Sequence, residues 1–288
     1  FMMIEYKKLN NYTGWFTFLI ALIVYSITVE DTASFWDAGE FIAVSSKLEV
    51  PHPPGAPFYL LLGRFFSFFA LGNPEKIALA INFLSVVSSA FTILFLFWTI
   101  THLTSKIIKT DSLNNIFLVL ISGITGALTF TFTDSFWFSA VEAEVYAMSS
   151  FFTAFVFWAI LRWESADNEK LQNRWIILIA YMMGLSIGVH LLNLVAIPAL
   201  ALIIYFKKTK RLSFLGLSLS LILSLFIVGL IVEGIIPGLP SIASFIERLF
   251  VNSFGLPFGS GIIFFIVLFI SCLSYLIYYS HKREKVIL

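Results

Sequence analysis

Acidic side chains and prolines are concentrated in one stretch of an otherwise apolar chain, residues 30–71. Five carboxylates and four of the nine prolines lie there: Glu30, Asp31, Asp37, Glu40, Glu49, Pro51, Pro53, Pro54 and Pro57. A carboxylate can take the proton of a weak nucleophile such as a hydroxyl group. A loop exposed to lipid would leave its backbone N–H and C=O groups unpaired at high cost. We therefore expect this stretch to face water beside a membrane.

Asp37 and Glu40 are the first candidates for chemistry, because a spacing of three residues puts both carboxylates on one face of a helix. Phe41 and Leu48 supply apolar surface beside them, so the sequence predicts a helix starting near Ser34 that lies on the membrane surface. A second interpretation is structural. Ser34 and Asp37 have the spacing of a capping box, in which Asp37 would only close the helix N-terminus.

His52 follows in a proline-rich turn, Pro51-His-Pro-Pro-Gly-Ala-Pro57. Proline fixes the backbone φ angle, so such a turn is stiff enough to hold a side chain against a site. His52 could donate a hydrogen bond to a phosphate or adjust a carboxylate. As an isolated surface histidine it would do neither.

The composition decides the class of protein that carries this loop. Hydrophobic residues make up 59% of the 288 residues, charged residues 12%, and the mean hydropathy is +0.94. These values exclude a soluble domain and predict an all-α polytopic protein whose partner is the lipid bilayer. Cys272 is the single cysteine, so no internal disulfide can form. The net charge of +1 gives no indication of nucleic-acid binding.

Eight membrane spans are predicted, with both chain ends in the cytoplasm. The first is read as an uncleaved anchor because acidic residues follow it, and the segment at 175–206 is read as two spans turning near His190. Lys and Arg clusters near 207–211 and 282–285 then lie inside, as cytoplasmic loops require. Residues 58–71 are too short to span and are read as an interfacial or re-entrant helix. The spans are 12–29, 77–100, 116–132, 145–163, two within 175–206, 214–232 and 262–279, and residues 233–261 form an outer loop.

A second outer loop brings more acids to the outer face. Ser139 and Glu142 have the spacing of another capping box, which gives Glu142 a structural role. Glu144 has no such explanation, and an acid this close to the membrane is a functional candidate by default.

The first outer loop resembles that of the GT-C glycosyltransferases. The resemblance is carried by Asp37-x-Gly-Glu40, by the spacing of fifteen residues from Asp37 to His52, and by His-Pro-Pro-Gly-x-Pro. It is strongest for the branch that includes animal transmembrane protein O-mannosyltransferases and many bacterial membrane proteins. In the more familiar protein O-mannosyltransferases a Glu directly follows the Asp, whereas here it comes three residues later.

The resemblance implies a single GT-C-like transmembrane domain over residues 1–288, with the site in the first outer loop, residues 30–75. Many members continue into a large soluble C-terminal region that this chain lacks. The implied reaction moves a hexose, mannose in the nearest relatives, from a polyprenyl-phosphate-linked sugar to a hydroxyl of an acceptor protein or glycan. The implied location is the outer, periplasmic face of a bacterial inner membrane.

The resemblance and the residue chemistry together assign roles. Asp37 is the candidate base, with Glu40 as its partner acid. Glu144 and Tyr146 belong to an acceptor or second acidic site, where Glu144 would orient the acceptor or share a divalent metal, Mg²⁺ or Mn²⁺, with Asp37. Metal-independent relatives leave that cofactor open. The departing phosphate needs positive charge or N–H donors, and the candidates are Arg64, His52, His190 and Arg248.

Two other classes of protein remain open at this point. In a transporter or lipid flippase, the same charged groups would line a pathway, but no predicted span carries a charge at mid-depth. In a non-catalytic membrane subunit, the acidic loop would be a docking surface.

Overall fold

The computed structural model describes residues 2–209 and 211–282. Lys210, Arg283 and Lys285, which belong to the basic clusters of the predicted topology, lie outside the described residues. Within the described ranges the chain forms twelve α-helices and no β-strand. The helices are α1 (Met2–Thr28), α2 (Ala38–Lys47), α3 (Pro57–Ser67), α4 (Ile77–Ile107), α5 (Leu113–Thr131), α6 (Asp134–Val141), α7 (Val145–Glu164), α8 (Glu169–Ile187), α9 (Ala196–Lys208), α10 (Phe214–Gly229), α11 (Ile236–Phe254) and α12 (Ser260–Lys282).

Seven helical segments among the described residues are long and apolar enough to cross a membrane. They are Glu5–Thr28, Pro74–Ile107, Leu113–Thr131, Val145–Glu164, Leu191–Lys208, Phe214–Phe254 and Ser260–Ser280. The prediction of an all-α polytopic membrane protein is therefore confirmed.

One of the eight predicted spans, the first of the two within 175–206, corresponds to α8. This segment is helical but is not one of the seven segments. Its first two turns are polar, and only the part from Trp175 to Ile187 is apolar. That part is about 20 Å long at 1.5 Å per residue, short of a core of about 30 Å. The predicted break near His190 is present, because α8 ends at Ile187 and a 3₁₀ turn, Leu191–Val195, precedes α9.

The predicted outer loop at 233–261 is wrong for most of its length. A π-helical turn, Leu230–Ile235, joins α10 to α11 without a break, so the helix continues to Phe254. Pro237 lies just after this π-turn and Pro240 lies inside α11, so each removes one backbone N–H donor from the helix. The π-turn also relaxes the local hydrogen-bond ladder. Charged residues and prolines therefore misled the reading of this segment.

The described residues form two compact units. The first contains the residues up to Ser165 together with Ile177–Ala196, and the second contains Ala166–Ile176 and the residues from Ile197 onwards. In the second unit, α11 and α12 form a hairpin in which the Glu247 carboxylate accepts the backbone N–H groups of Gly259 (2.6 Å) and Ile262 (2.9 Å).

The first unit is built around α4, which packs against α1, α5 and α7 and is the most buried of the seven segments. Its apolar core joins Tyr25 of α1, Ile93 of α4 and Ile116 of α5. Small residues allow close approach, as is typical of helices in membranes. At Gly123, for example, a Cβ would lie 2.5 Å from the Thr101 side chain and 2.8 Å from Phe97. This rigid bundle carries the loop with the acidic residues.

Candidate functional site

The acidic loop is tied to the helix bundle by backbone groups at its first residues. The Glu30 N–H donates to the Val141 carbonyl at 3.0 Å. Asn82 of α4, which is fully buried, donates from Nδ2 to the carbonyls of Glu30 (2.7 Å) and Thr32 (3.0 Å). The start of the loop is therefore fixed before the chain reaches Asp37.

Glu142 holds the next part of the loop. Its carboxylate accepts a hydrogen bond from the Ser34 hydroxyl, and burial raises its pKa. The predicted Ser139–Glu142 capping box is wrong, because Ser139 lies inside α6 and donates to the Ser135 carbonyl, while Glu142 follows the end of that helix. Glu142 is structural, as expected, but it anchors the first outer loop and caps no helix.

Asp37 stands at the N-terminus of α2, which begins at Ala38 and not near Ser34. Its side chain makes no capping hydrogen bond, so the capping-box interpretation of Ser34 and Asp37 is wrong. Trp36, just before it, has a φ of 61°, which turns the chain sharply into the helix. The Asp37 carboxylate is thus exposed and free to react.

Glu40 and His52 form an ion pair on the same face as Asp37. The His52 backbone N–H donates to one Glu40 carboxylate oxygen at 2.8 Å, and the ring Nδ1 lies 2.7 Å from the other. These bonds lower the pKa of Glu40 and raise the pKa of His52, so the pair favours carboxylate and imidazolium. Ligating atoms of Asp37, Glu40 and His52 all lie within 4.8 Å of one another, so the predicted shared face exists.

The proline-rich turn is docked at the break between α8 and α9. The N–H groups of Phe58 and Tyr59 donate to the Gly188 carbonyl at 2.7 and 3.2 Å. A Cβ on Gly188 would lie 2.8 Å from the Phe58 Cβ, so this position requires glycine. Gly184 has nothing within 4 Å of its added Cβ. Of these two glycines only Gly188 makes a close contact, and that contact holds the start of α3 against the helix break.

Glu144 is the buried acid of the site. It precedes α7, is 4% exposed, and accepts the backbone N–H groups of Asp37 and Val145. Burial, followed by the nearby charges of Asp37 and Glu142, raises the pKa of Glu144 to about 7. The carboxyl group can therefore exchange a proton near neutral pH.

Two adjoining pockets open at these residues, and Asp37, Glu144 and Tyr146 line both of them. The larger, about 280 Å³, is also lined by Trp36 and Phe138. The smaller, about 80 Å³, is completed by Phe41, His52, Pro54, Gly55, Ala56, Val145, Val189 and His190. The structure thus brings six of the eight predicted site residues together: Asp37, Glu40, His52, Glu144, Tyr146 and His190.

His190 satisfies the backbone at the helix break and also lines the smaller pocket, while its predicted donor-binding role stays a prediction. Its Nδ1 accepts the Leu192 N–H at 3.1 Å, which satisfies the backbone at the helix break. Its ring also lies against Tyr146, with 5.4 Å between ring centroids, and burial lowers its pKa.

Arg64 and Arg248 are not part of this arrangement of six. The Arg64 guanidinium donates to the Ser46 carbonyl near the end of α2 and lies 4.8 Å from the centroid of the Phe68 ring. These contacts explain the half-buried position of Arg64 without a phosphate. Arg248 is an exposed residue of α11 in the second unit. A donor-binding role for either arginine stays a prediction.

Two residues of the site could not be found from the sequence. Ser34 contacts Glu142 across 108 positions of the chain, and Asn82 contacts Thr32 across 50. A polar residue within an apolar span was the only signal for Asn82.

A divalent metal shared by Asp37 and Glu144 does not fit these residues. Glu144 already accepts two backbone N–H groups, and its raised pKa favours the protonated form, which is a poor ligand. In the Asp37, Glu40 and His52 group, both Glu40 oxygens are engaged by His52. A metal there would compete with these two hydrogen bonds for the Glu40 oxygens, and no step of the mechanism is derived through a metal.

Comparison with known proteins places these residues in a family. Residues 37–213, which include the six predicted site residues that the structure brings together, match the family model of the protein O-mannosyl-transferase TMEM260 N-terminal domain. A protein O-mannosyl-transferase tmem260 of Dictyostelium discoideum is 28% identical over 191 residues, 63% of this chain and 22% of that protein. The TMEM260 protein of Mus musculus is 26% identical over 165 residues, 57% of this chain and 21% of that protein.

The chain spans about a fifth of the length of these curated relatives. No solved structure matches it. Because the family model covers more than half of the chain and begins at Asp37, this chain belongs to the TMEM260 N-terminal domain family.

Proposed function

We propose that this chain is the membrane domain of a GT-C-type O-mannosyltransferase that moves mannose from a polyprenyl-phosphate donor to a hydroxyl of an acceptor protein. Family membership supports the reaction class, and the observation that carries the proposal is the geometry at Asp37. An unbonded carboxylate lies beside an ion pair and a buried acid, at pockets that open on the loop side of the bundle.

Asp37 acts as the general base. As the acceptor oxygen forms its bond to the anomeric carbon, Asp37 takes the hydroxyl proton. The bond from that carbon to the phosphate oxygen breaks, and the polyprenyl phosphate leaves with the electron pair. Positioned proton transfer of this kind contributes about 10²–10⁴-fold to the rate. Asp37 suits the task because no capping hydrogen bond occupies its side chain.

His52 stabilises the departing phosphate. Glu40 raises the pKa of His52 and holds its Nδ1, so the imidazolium is oriented with the remaining ring nitrogen able to donate. A charge-assisted hydrogen bond to a phosphate oxygen is stronger than a neutral one. Glu40 is then a positioning residue, and the partner acid of the sequence analysis acts through His52.

Glu144 and Tyr146 orient the acceptor. Both line the larger pocket with Trp36 and Phe138, which supply apolar walls for a peptide segment. With a pKa of about 7, Glu144 is largely protonated at slightly acidic pH and can donate a hydrogen bond to the acceptor oxygen. Its backbone contact with Asp37 fixes the distance between the two acids.

The site is proposed to face the outer side of the membrane, the periplasm if the cell is bacterial, because the acidic loops of the first unit then lie opposite the basic residues at the start of α1 and near the ends of α4 and α7. A divalent metal at Asp37, Glu40 and His52 is the alternative. Chelation with EDTA followed by Mn²⁺ or Mg²⁺ addition tests it, and the mechanism above expects no change in turnover.

Incubation of the purified chain with radiolabelled polyprenyl-phosphate sugars and a Ser/Thr-rich acceptor peptide tests the proposed reaction. We expect label transfer from the mannose donor that depends on the peptide. Transfer from none of the donors, or equal transfer from glucose and mannose donors, would contradict the proposed function.

A further inference from the structure

A second cavity lies at the other end of the first unit. It measures about 580 Å³ and is lined where α1 begins and where α4 and α7 end, by residues that include Lys7, Lys8, Trp98 and Arg162. His102 of α4 also lines it, about 20 residues from Asn82, which holds the acidic loop. That distance is about 30 Å along a helix, so the cavity is separate from the Asp37 site.

The floor of this cavity is aromatic. The rings of Trp98 and Trp158 lie 5.7 Å apart between centroids, tilted by 33°. Gly14 of α1 permits this arrangement, because a Cβ there would lie 2.5 Å from the Trp98 Nε1. Indole rings at the end of a spanning helix are typical of the boundary between acyl chains and head groups.

The rim of the cavity is basic. Lys7, Lys8 and Arg162 are exposed, and no carboxylate is among the described residues that line the cavity. The one acidic side chain in an ion pair at this end, Glu164, pairs with Lys106. The cavity thus combines three positive charges, with no carboxylate among its described lining residues, and two indole rings.

We propose that this cavity binds the phosphate head group of an anionic phospholipid. Lys and Arg donors match phosphate oxygens, and juxtamembrane basic residues attract anionic lipids. The tryptophan floor distinguishes this cavity from a charged surface alone, since it offers contact to the glycerol and the first methylene groups of a lipid. A soluble phosphate ester has the same charge but uses only the rim.

Native mass spectrometry of the purified chain tests the proposal. The chain is equilibrated with dioleoylphosphatidylglycerol or dioleoylphosphatidylcholine, and the retained lipid is counted. We expect the anionic lipid to be retained in preference. Substitution of all three rim residues (Lys7→Gln, Lys8→Gln and Arg162→Gln) should reduce that preference at least tenfold, and Lys8→Gln alone by about fivefold. The single variant keeps the test valid if the triple variant does not fold.

The matched control removes three exposed basic residues that do not line the cavity, by Lys109→Gln, Lys170→Gln and Arg174→Gln. It should keep the lipid preference. Equal retention of the two lipids, or an equal loss in the control, would overturn the proposal.

Millimolar inorganic phosphate distinguishes a lipid head group from a soluble phosphate as the ligand of the cavity. If the lipid stays bound in the presence of inorganic phosphate, the cavity binds a lipid head group as proposed. If inorganic phosphate displaces the lipid, the proposal that a lipid is the ligand is overturned. Because no turnover is measured, this outcome is independent of the proposed mannosyl transfer.

Discussion

The two ends of the first unit carry opposite charges and hold them in different ways. At the acidic end, Ser34 and Asn82 fix the loop, and Glu40 holds His52 through two hydrogen bonds. At the basic end, Lys7, Lys8 and Arg162 are exposed, line a cavity with two indole rings, and belong to neither of the two ion pairs among the described residues. Fixed geometry is what a reaction needs, whereas long mobile side chains can only attract and bind. The two ends of the same helix bundle are thus suited to different tasks, the acidic end to a reaction and the basic end to binding.

The largest effect is expected at Asp37. Replacing it with Asn keeps the shape but removes the proton acceptor, so turnover should fall by about 10²-fold or more. The matched control is Asp31→Asn, on the same loop but not at the pockets, and it should retain near-normal turnover. Initial rates at saturating donor measure both. If Glu40→Gln alone abolished turnover, the base would be Glu40.

A smaller effect is expected when the ion pair is broken. His52→Gln removes the positive charge offered to the phosphate, and Glu40→Gln removes the group that orients it, so each should lower turnover about tenfold. Because the two residues act as one unit, the double variant should lose little more than either single variant. Fully additive losses in rate would show that they act separately.

The anchoring of the acidic loop can be tested by stability. Asn82→Leu leaves the Glu30 and Thr32 carbonyls without their donor, which should cost about 1–3 kcal/mol and lower the melting temperature. Asn115 is the control at the other end, because its amide also donates twice but is solvent-exposed. Asn115→Leu should cost less than about 1 kcal/mol. Equal losses of unfolding free energy in the two variants would show that the acidic end is not held more firmly than the basic end.

The smallest effect is a pH dependence carried by Glu144. Its pKa is about 7 in the folded chain, against 4.5 for an ordinary Glu. The folded state therefore binds the proton more tightly, and the contribution of Glu144 to stability should be fully present below pH 4.5 and be lost as the pH rises through about 7. Glu144→Gln should flatten this decline and raise the melting temperature above pH 7. If the melting temperature of Glu144→Gln followed the same pH curve as that of the wild type, Glu144 would be excluded as the source of the pH dependence.

The sequence predicted the acidic end well because its signals are local. A spacing of three residues and a proline-rich turn were enough to bring Asp37, Glu40 and His52 together. Contacts across long stretches of chain, such as Ser34 with Glu142, leave no pattern in a single sequence. Both capping-box interpretations were wrong, because Ser34 of one and Glu142 of the other bond to each other across the fold.

The basic end and the C-terminal region were harder to predict for physical reasons. The cavity at Lys7 and Arg162 exists only where three helices end together, and each basic residue alone looks like an ordinary cytoplasmic charge. In the segment at 233–261, prolines and charges indicated a loop. A π-helical turn accommodates Pro237 within a continuous helix, which composition does not reveal.

One pair of variants measured side by side tests the separation of the two ends most directly. Turnover in phosphatidylcholine micelles and retention of phosphatidylglycerol are determined for Asp37→Asn and for the triple rim variant. We predict that Asp37→Asn loses about 10²-fold in turnover and keeps its lipid, and that the rim variant loses its lipid and keeps its turnover. If Asp37→Asn retains turnover within about threefold of the wild type, the acidic end does not carry the chemistry and the account fails.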